Sequence, residues 1–128
     1  MNLIIVEDDL VIQLFLEEAL SEDIDQSNAE NVYTFSTVEE TIEFLNQDKF
    51  KTNFLFIDYS LEGDLTGVDL AKHIDSNCPN CYYYFLSGNA SIIKQSTYGN
   101  GCLGILSKPI SENELHQKVL QIKQILAK

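Results

Sequence analysis

The sequence predicts an α/β fold, in which a parallel sheet of five strands carries helices on both faces. Five short apolar runs alternate along the chain with segments whose apolar residues recur at helical spacing. The runs at residues 54–57 and 82–86 are continuously apolar, which is typical of strands buried on both faces of a parallel sheet. A chain of 128 residues is long enough for one such core, so we expect a single domain over residues 1–128.

The first half of the chain is predicted to contain three strands and two helices. The strands are the apolar runs near residues 3–6, 31–35 and 52–57. The first helix is indicated by an apolar stripe at helical spacing, formed by Ile12, Phe15, Leu16, Ala19 and Leu20. Residues 23–30 are polar and predict a loop. Ser36 with Glu39 forms a candidate capping box, which indicates that the second helix begins there.

The second half is predicted to contain two strands and three helices. The third helix is indicated by Val68, Ala71 and Ile74 and ends before Cys78. The strands are residues 82–86 and 102–106. Residues 89–100 have only a thin apolar face, which predicts a short and loosely held fourth helix. A second capping box opens the fifth helix, and the residues that indicate this helix are Ser111, Glu114, Leu115, Val119, Ile122 and Leu126.

Composition and charge exclude several classes of function. The 20 acidic and 8 basic residues give a formal net charge of -12, which repels phosphate backbones and anionic lipid, so we expect no direct nucleic-acid or membrane partner. The amino terminus lacks the features of a signal peptide, and no apolar run approaches the length of a membrane span. Three cysteines, an odd number, suggest reduced thiols. We therefore expect a cytoplasmic protein.

Polar side chains with complementary chemistry follow four of the five predicted strands. Glu7 and Asp8 follow the first strand, Asp58 the third, Ser87 the fourth and Lys108 the fifth. The carboxyl ends of parallel strands form the edge at which open α/β sheets bind ligands. Three carboxylates at one edge repel each other unless a cation neutralises them, and Mg²⁺ suits an oxygen-rich site that also receives a phosphate. The sequence therefore predicts a Mg²⁺ site.

The same residues suit phosphoryl transfer. That reaction requires a positioned nucleophile and positive charge near the phosphoryl oxygens. Asp58 would be the nucleophile, Lys108 would neutralise a phosphoryl oxygen, and the Ser87 hydroxyl would donate a hydrogen bond to another. An aspartyl phosphate is the expected product.

This set of residues resembles the signature of bacterial response regulator receiver domains, similar to chemotaxis regulators, over the whole chain. The resemblance implies a flavodoxin-like sheet in the order 2-1-3-4-5. It also implies that a histidine kinase or a phosphotransfer protein donates a phosphoryl group from a phosphohistidine, and that an output protein or domain reads the result. Such a domain is a signalling phosphoacceptor, which catalyses only its own phosphorylation and dephosphorylation, and is not otherwise an enzyme.

The resemblance also implies a role for each residue of the set. Asp8 resembles the direct metal ligand, Glu7 the ligand that acts mostly through water, and Asp58 the phosphoacceptor, which also faces the metal. Ser60 occupies the position whose backbone carbonyl binds the metal. Ser87 resembles the hydroxyl switch residue. Lys108 resembles the phosphoryl-contacting lysine, followed by a cis peptide bond to Pro109. The segment from residue 87 through 105 is then the expected moving part.

Two departures from the family pattern leave an alternative open. Ile105 stands three residues before Lys108, where the family usually has an aromatic switch residue, and the loop after Asp58 lacks the common Met-Pro step. A phosphorylation-independent interaction module of the same fold is therefore the alternative. A Mg²⁺-dependent phosphohydrolase similar to haloacid dehalogenases is less favoured, because that family has a second Asp where Ser60 stands.

Other residues invite a chemical role that their context does not favour. Cys78 and Cys81 form a CxxC motif, but no second ligand pair completes a zinc site, and the motif follows a helix instead of opening one. His73 and His116 fall on predicted helices away from the strand ends. We expect both histidines to be surface or packing residues.

Overall fold

The computed structural model describes residues 1–22, 31–94 and 98–126, and these form one parallel sheet with helices on both faces. The sheet order is β2-β1-β3-β4-β5, and every pair of neighbours is parallel. This order confirms the prediction. The strands are β1 (Asn2–Val6), β2 (Asn31–Phe35), β3 (Asn53–Asp58), β4 (Cys81–Ser87) and β5 (Cys102–Ser107).

Four α-helices occur within the described ranges. They are α1 (Leu10–Ser21), α2 (Val38–Gln47), α3 (Gly67–Asn77) and α4 (Glu112–Leu126). Helices α1 and α4 cover one face of the sheet, and α2 and α3 cover the other, because their buried residues belong to two separate core clusters. Successive residues of β3 alternate between these clusters, as the two-residue period of a strand requires. All six residues of β3 are therefore buried.

The central strands are held in register at both ends. At the amino ends, the buried Asn2 side chain donates a hydrogen bond to Asn53 Oδ1 at 3.1 Å, which satisfies two amides that would otherwise be costly to bury. At the carboxyl ends, Val6 pairs with Ile57, and Asp58 pairs with Leu86. This register places Asp58 between the ends of β1 and β4.

The helix starts confirm one predicted capping residue and correct another. Ser111 Oγ accepts the Glu114 N–H at 3.1 Å at the start of α4, as predicted. At α2 the predicted Ser36 cap is wrong by one residue, because Thr37 Oγ1 accepts the Glu40 N–H at 3.2 Å. Ser36 and Thr37 are each followed three residues later by a glutamate, so the sequence alone does not distinguish them. The helix that begins after Thr37 buries Val38, Thr41 and Leu45.

The predicted helix over residues 89–100 is wrong. The described part of that segment contains only a 3₁₀ turn, Ala90–Ile92, and residues 95–97 lie outside the described residues. Two adjacent isoleucines among small and polar residues give no stripe that could bury a helix of several turns, and a short helix without tertiary packing is marginal. The predicted loop at residues 23–30 also lies outside the described residues.

None of the helices in the described ranges has both the length and the hydropathy needed to cross a bilayer.

Candidate functional site

The carboxyl ends of β1 and β3 bring three acidic residues together. Glu7 follows β1 and is 1% exposed, and Asp58 ends β3 and is 5% exposed, whereas Asp8 is exposed. One carboxylate oxygen from each of these residues lies within 4.8 Å of the other two. The three predicted carboxylates thus converge on a single place, with two of them buried and one facing solvent.

Lys108 bridges the two buried carboxylates. Its Nζ lies 3.2 Å from Glu7 Oε2 and 3.0 Å from Asp58 Oδ1. The backbone holds Lys108 at this edge, because its N–H donates to the Ser87 carbonyl at 2.9 Å, and a cis peptide bond to Pro109 follows. The cis bond confirms the expectation drawn from the sequence. A positive charge is therefore placed directly beside Asp58.

The shared environment shifts proton affinities within this group. Burial raises the pKa of Glu7, and the charge of Asp58 adds to this, while the Asp9 N–H and Lys108 oppose it. Burial acts to lower the pKa of Lys108, but hydrogen bonds and charge from Asp58, with the charge of Glu7, outweigh burial and hold that pKa above its usual value. Lys108 is therefore an ammonium at neutral pH.

The loop after β3 is tied to two of the carboxylates. The Ser60 N–H donates to Asp58 Oδ1 at 3.0 Å, and the Glu62 N–H donates to Asp8 Oδ2 at 3.1 Å. The Tyr59 N–H donates to the Leu86 carbonyl at 2.9 Å, which continues the β3–β4 pairing past Asp58. Although this loop departs from the common family sequence, its backbone amides orient the acidic residues.

Gly67 is a site residue that the sequence analysis did not single out. A Cβ at this position would lie 2.5 Å from the carbonyl oxygen of Asp58 and 3.2 Å from the Ile57 side chain. Only glycine allows the start of α3 to pass this close to the end of β3. The sequence shows a glycine after the capping residue Thr66, but nothing in the sequence indicates which strand it packs against.

Ser87 lies on β4, the strand next to Asp58, and Ile105 lies on β5, one strand further away. Ser87 ends β4, is 4% exposed, and its Oγ accepts the Asn89 N–H at 3.0 Å. Ile105 pairs with Phe85 in the β4–β5 register and packs, partly buried, against the core cluster that contains α2 and α3. Ser87 is thus at the predicted edge, and Ile105 provides no ring or hydroxyl there.

The CxxC motif lies at the opposite edge of the sheet. Cys81 begins β4 and Cys78 precedes it, while Ser87 ends the same strand. All three cysteines of the chain are buried. Burial raises the pKa of Cys81 to about 12, which keeps it a thiol at neutral pH. These cysteines are structurally separate from the acidic site.

An apolar groove opens beside the acidic site. It has a volume of about 510 Å³ and is lined by Val11, Ile12, Phe15, Leu86, Lys108, Pro109 and Ile110. Phe15 was predicted to belong to the buried stripe of α1, but it is 41% exposed, and Leu10, Val11 and Leu14 are more exposed still. Helix α1 therefore presents an apolar surface to solvent next to Lys108.

The profile of one protein family matches most of the chain. The response regulator receiver domain profile covers residues 3–120. No relative was found among curated protein sequences.

Solved receiver structures share the fold at low sequence identity. The receiver domain of AraT, a response regulator from Geobacillus stearothermophilus, is 22% identical, with a TM-score of 0.80 over 98% of this chain and 95% of that chain. The receiver domain of the Francisella response regulator 1452 is 20% identical, with a TM-score of 0.79 over 98% of both chains. A CheY-like receiver domain from Methylobacillus flagellatus is 17% identical, with a TM-score of 0.74 over 95% of this chain and 98% of that chain.

Proposed function

This chain belongs to the response regulator receiver domain family, and from that premise we propose that Asp58 is the residue on which it accepts a phosphoryl group. A receiver domain is a signalling module of two-component systems that takes this group from the phosphohistidine of a histidine kinase and responds by changing conformation. The observation that carries the assignment is the position of Asp58. It is a buried carboxylate at the end of a central strand, with an ammonium 3.0 Å from its Oδ1.

The arrangement fits an in-line displacement. The Ser60 N–H and Lys108 Nζ both approach Asp58 Oδ1, so we expect the other oxygen, Oδ2, to attack phosphorus. The new O–P bond forms as the P–N bond of the phosphohistidine breaks, and the donor imidazole leaves with the electron pair. Lys108 lies where its charge would stabilise the phosphoryl oxygens. The domain thereby catalyses its own phosphorylation and, with water as nucleophile, its dephosphorylation.

The three converging carboxylates fit a divalent cation bound by oxygen ligands. Asp8 and Asp58 would bind Mg²⁺ directly, Glu7 mostly through water, and the Ser60 backbone carbonyl would complete the protein ligands. Bound Mg²⁺ would neutralise charge that develops on the phosphoryl oxygens. The donor set supports this role, because it has only carboxylate and carbonyl oxygens and an exposed side through Asp8.

Ser87 is the proposed hydroxyl switch. Its Oγ accepts the Asn89 N–H in this structure, so the hydroxyl is already linked to the first residues after β4. A phosphoryl oxygen on Asp58 offers a stronger, charged hydrogen-bond acceptor. Turning the Ser87 hydroxyl toward it would change the start of the β4–β5 connection.

The partner we propose is a histidine kinase or a phosphotransfer protein, followed by an output protein or domain. The apolar groove beside Lys108 supports a protein donor, because the donor imidazole must come close to Asp58 and the groove offers apolar surface there. We also propose that residues 1–128 are one domain and that the protein works in the cytoplasm, where its buried thiols would stay reduced.

The test is the intact mass of the protein after incubation with acetyl phosphate. We expect one phosphoryl adduct that depends on Mg²⁺ and is lost in Asp58→Asn. Asp9→Asn is the matched control, because Asp9 caps α1 and Asn retains that function, so this variant should still be labelled. A stoichiometric label on Asp58→Asn would refute the assignment. If the wild type takes no label and shows no response to beryllofluoride, the phosphorylation-independent module is favoured instead.

A further inference from the structure

Two tyrosines meet directly behind the proposed acceptor. Tyr59 follows Asp58 in the chain and is anchored to β4 through its N–H bond to the Leu86 carbonyl. Its hydroxyl lies 3.5 Å from the hydroxyl of Tyr98, which approaches from the end of the β4–β5 connection. The sequence analysis gave neither tyrosine a role.

Both rings pack on the same core residue. The centroid of Phe85 lies 5.2 Å from that of Tyr59, at an interplanar angle of 86°, and 4.9 Å from that of Tyr98, at 60°. Edge-on and tilted contacts at these distances are favourable for aromatic rings. Tyr59, Phe85 and Tyr98 therefore form one aromatic cluster, and Tyr59 joins it to residues 58–60, which we call the acceptor turn.

The backbone after Tyr98 is held by shorter hydrogen bonds than the Tyr98 hydroxyl is. The Gly99 N–H donates to Asp75 Oδ2 at 3.0 Å, and the Tyr83 hydroxyl donates to the same carboxylate at 3.0 and 3.2 Å. Asp75 lies on α3, so this part of the connection is attached to a helix and to β4. In contrast, 3.5 Å is long for a bond between two hydroxyls. The contact between the Tyr59 and Tyr98 hydroxyls is therefore longer and weaker than the bonds that Asp75 makes to Gly99 and Tyr83.

The β4–β5 connection touches the acceptor region at both ends. Ser87 begins it, next to Leu86, the strand partner of Asp58, and Tyr98 lies near its end, against Tyr59. Ile105 packs against the same core cluster as these tyrosines but has no hydroxyl. Tyr98 therefore brings an aromatic hydroxyl from the β4–β5 connection to the hydroxyl of Tyr59, whereas Ile105 brings none.

We propose that Tyr98 is a positioning residue for the acceptor turn. Through Tyr59 it holds the backbone that presents the Ser60 N–H to Asp58 Oδ1, and a change at Asp58 acts back on Tyr98 through the same contact. This inference rests on the proposed phosphorylation of Asp58. Since coupling between two positions is reciprocal, Tyr98 variants alter phosphorylation, and occupancy of Asp58 alters the segment around Tyr98.

The first test is the rate of labelling by acetyl phosphate in the presence of Mg²⁺, followed by intact mass. Tyr98→Phe removes only the hydroxyl and is expected to slow labelling by about two- to fivefold, the effect of one weak hydrogen bond. Tyr98→Leu also removes the ring and is expected to slow labelling further. Tyr84→Phe is the matched control, since it removes a buried tyrosine hydroxyl of β4 that bonds Gln121 on the other face of the sheet.

The second test is amide hydrogen exchange at Gly99, measured with and without beryllofluoride and Mg²⁺. If Tyr98 had a merely structural role, substituting it would not change how the exchange of the Gly99 amide responds to beryllofluoride. We expect wild type and Tyr84→Phe to show a change in Gly99 exchange when beryllofluoride is added, and both Tyr98 variants to lose that change.

The outcomes separate this inference from the proposed function. Three outcomes overturn the role of Tyr98 and leave the acceptor assignment intact. The first is a wild-type labelling rate in both Tyr98 variants, and the second is slowing in Tyr84→Phe as large as in those variants. The third is a change in Gly99 exchange on adding beryllofluoride that is as large in the Tyr98 variants as in wild type. A wild type that takes no label and ignores beryllofluoride overturns the acceptor assignment and, with it, the positioning role.

Discussion

Lys108 determines how two buried acids can lie side by side. Glu7 and Asp58 are almost completely buried, and each contacts the same ammonium. Uncompensated charges are very costly to bury, and removing one partner of a buried ion pair leaves the other unpaired. In the absence of a metal ion, Lys108 is therefore expected to contribute to stability as well as to chemistry.

Lys108→Met should therefore destabilise the metal-free protein, by about 2 kcal/mol, since the lysine is itself 24% exposed. Urea unfolding with and without Mg²⁺ measures this loss. Mg²⁺ should restore more stability to the variant than it adds to wild type, because a cation replaces the missing charge. Lys123→Met, at an exposed position of α4, is the control and should change stability little. A metal-free variant as stable as wild type would contradict the prediction.

Gly67 sets how closely α3 approaches Asp58, the proposed phosphoacceptor. Gly67→Ala should destabilise the protein by about 1–3 kcal/mol, because the added Cβ would lie 2.5 Å from the Asp58 carbonyl oxygen, even though alanine favours helices intrinsically. It should also slow labelling of Asp58. Thermal unfolding and labelling by acetyl phosphate check both effects. Gly88→Ala is the control for stability, as nothing lies within 4 Å of a Cβ at that position.

The residues of the acidic site divide into those that the sequence could predict and those that it could not. Glu7, Asp8, Asp58, Ser87 and Lys108 were predictable because each follows an apolar run, and parallel strands bring their carboxyl ends to one edge. Gly67, Glu62, Tyr59 and Tyr98 make contacts between segments that are separate in the chain, namely the start of α3 against β3 and loop residues against other loop residues. Such contacts depend on loop paths that no local pattern in the sequence specifies.

At the scale of elements, packing against the rest of the protein decided which of the predicted strands and helices form. The five strands and four of the five predicted helices appear in order within the described residues, since each combines an apolar pattern with a partner surface. The start of α2 moved by one residue, because two capping signals overlapped and Thr37, not Ser36, caps the helix. The segment after β4 has only a thin apolar face, and its described part contains just a 3₁₀ turn where a helix was predicted.

The junction of α3 and β4 should protect its cysteines from alkylation. Cys78 and Cys81 are buried, and with a pKa of about 12 only about 10⁻⁴ of Cys81 would be thiolate at pH 8. Iodoacetamide at pH 8 should therefore modify the native protein far more slowly than protein unfolded in urea, as followed by mass. Rapid modification of Cys81 without loss of native structure would show that this junction opens on its own.

At the scale of the whole molecule, the core is sensitive to high pH. Burial raises the pKa of all three cysteines and of Tyr83 and Tyr84. In the unfolded chain these groups ionise near their ordinary values, about 8.5 for cysteine and about 10 for tyrosine. The folded state therefore binds more protons in this range, and stability falls as pH rises.

Urea unfolding between pH 7 and pH 11 tests this behaviour. Stability from these groups should be fully present below about pH 8.5 and should decline through pH 11, because Cys81 stays protonated in the folded state up to about pH 12. Cys81→Ala should flatten the decline from about pH 8.5 to pH 11, where this thiol is ionised in the unfolded chain but protonated in the folded state. A free energy of unfolding that stays constant to pH 11 would contradict the burial of these groups.

The sheet order has a consequence for how the chain folds. Asn2 and Asn53, which join the amino ends of β1 and β3, are 51 residues apart. In a sheet whose neighbours are all parallel, no two strands are joined by a tight hairpin that could form early. The chain between these strands must lose conformational entropy before the pairing of β1 with β3 stabilises the fold. This cost slows folding in proteins with many contacts between residues distant in sequence. Refolding should therefore be limited by closure of the sheet's centre, not by the formation of any one helix.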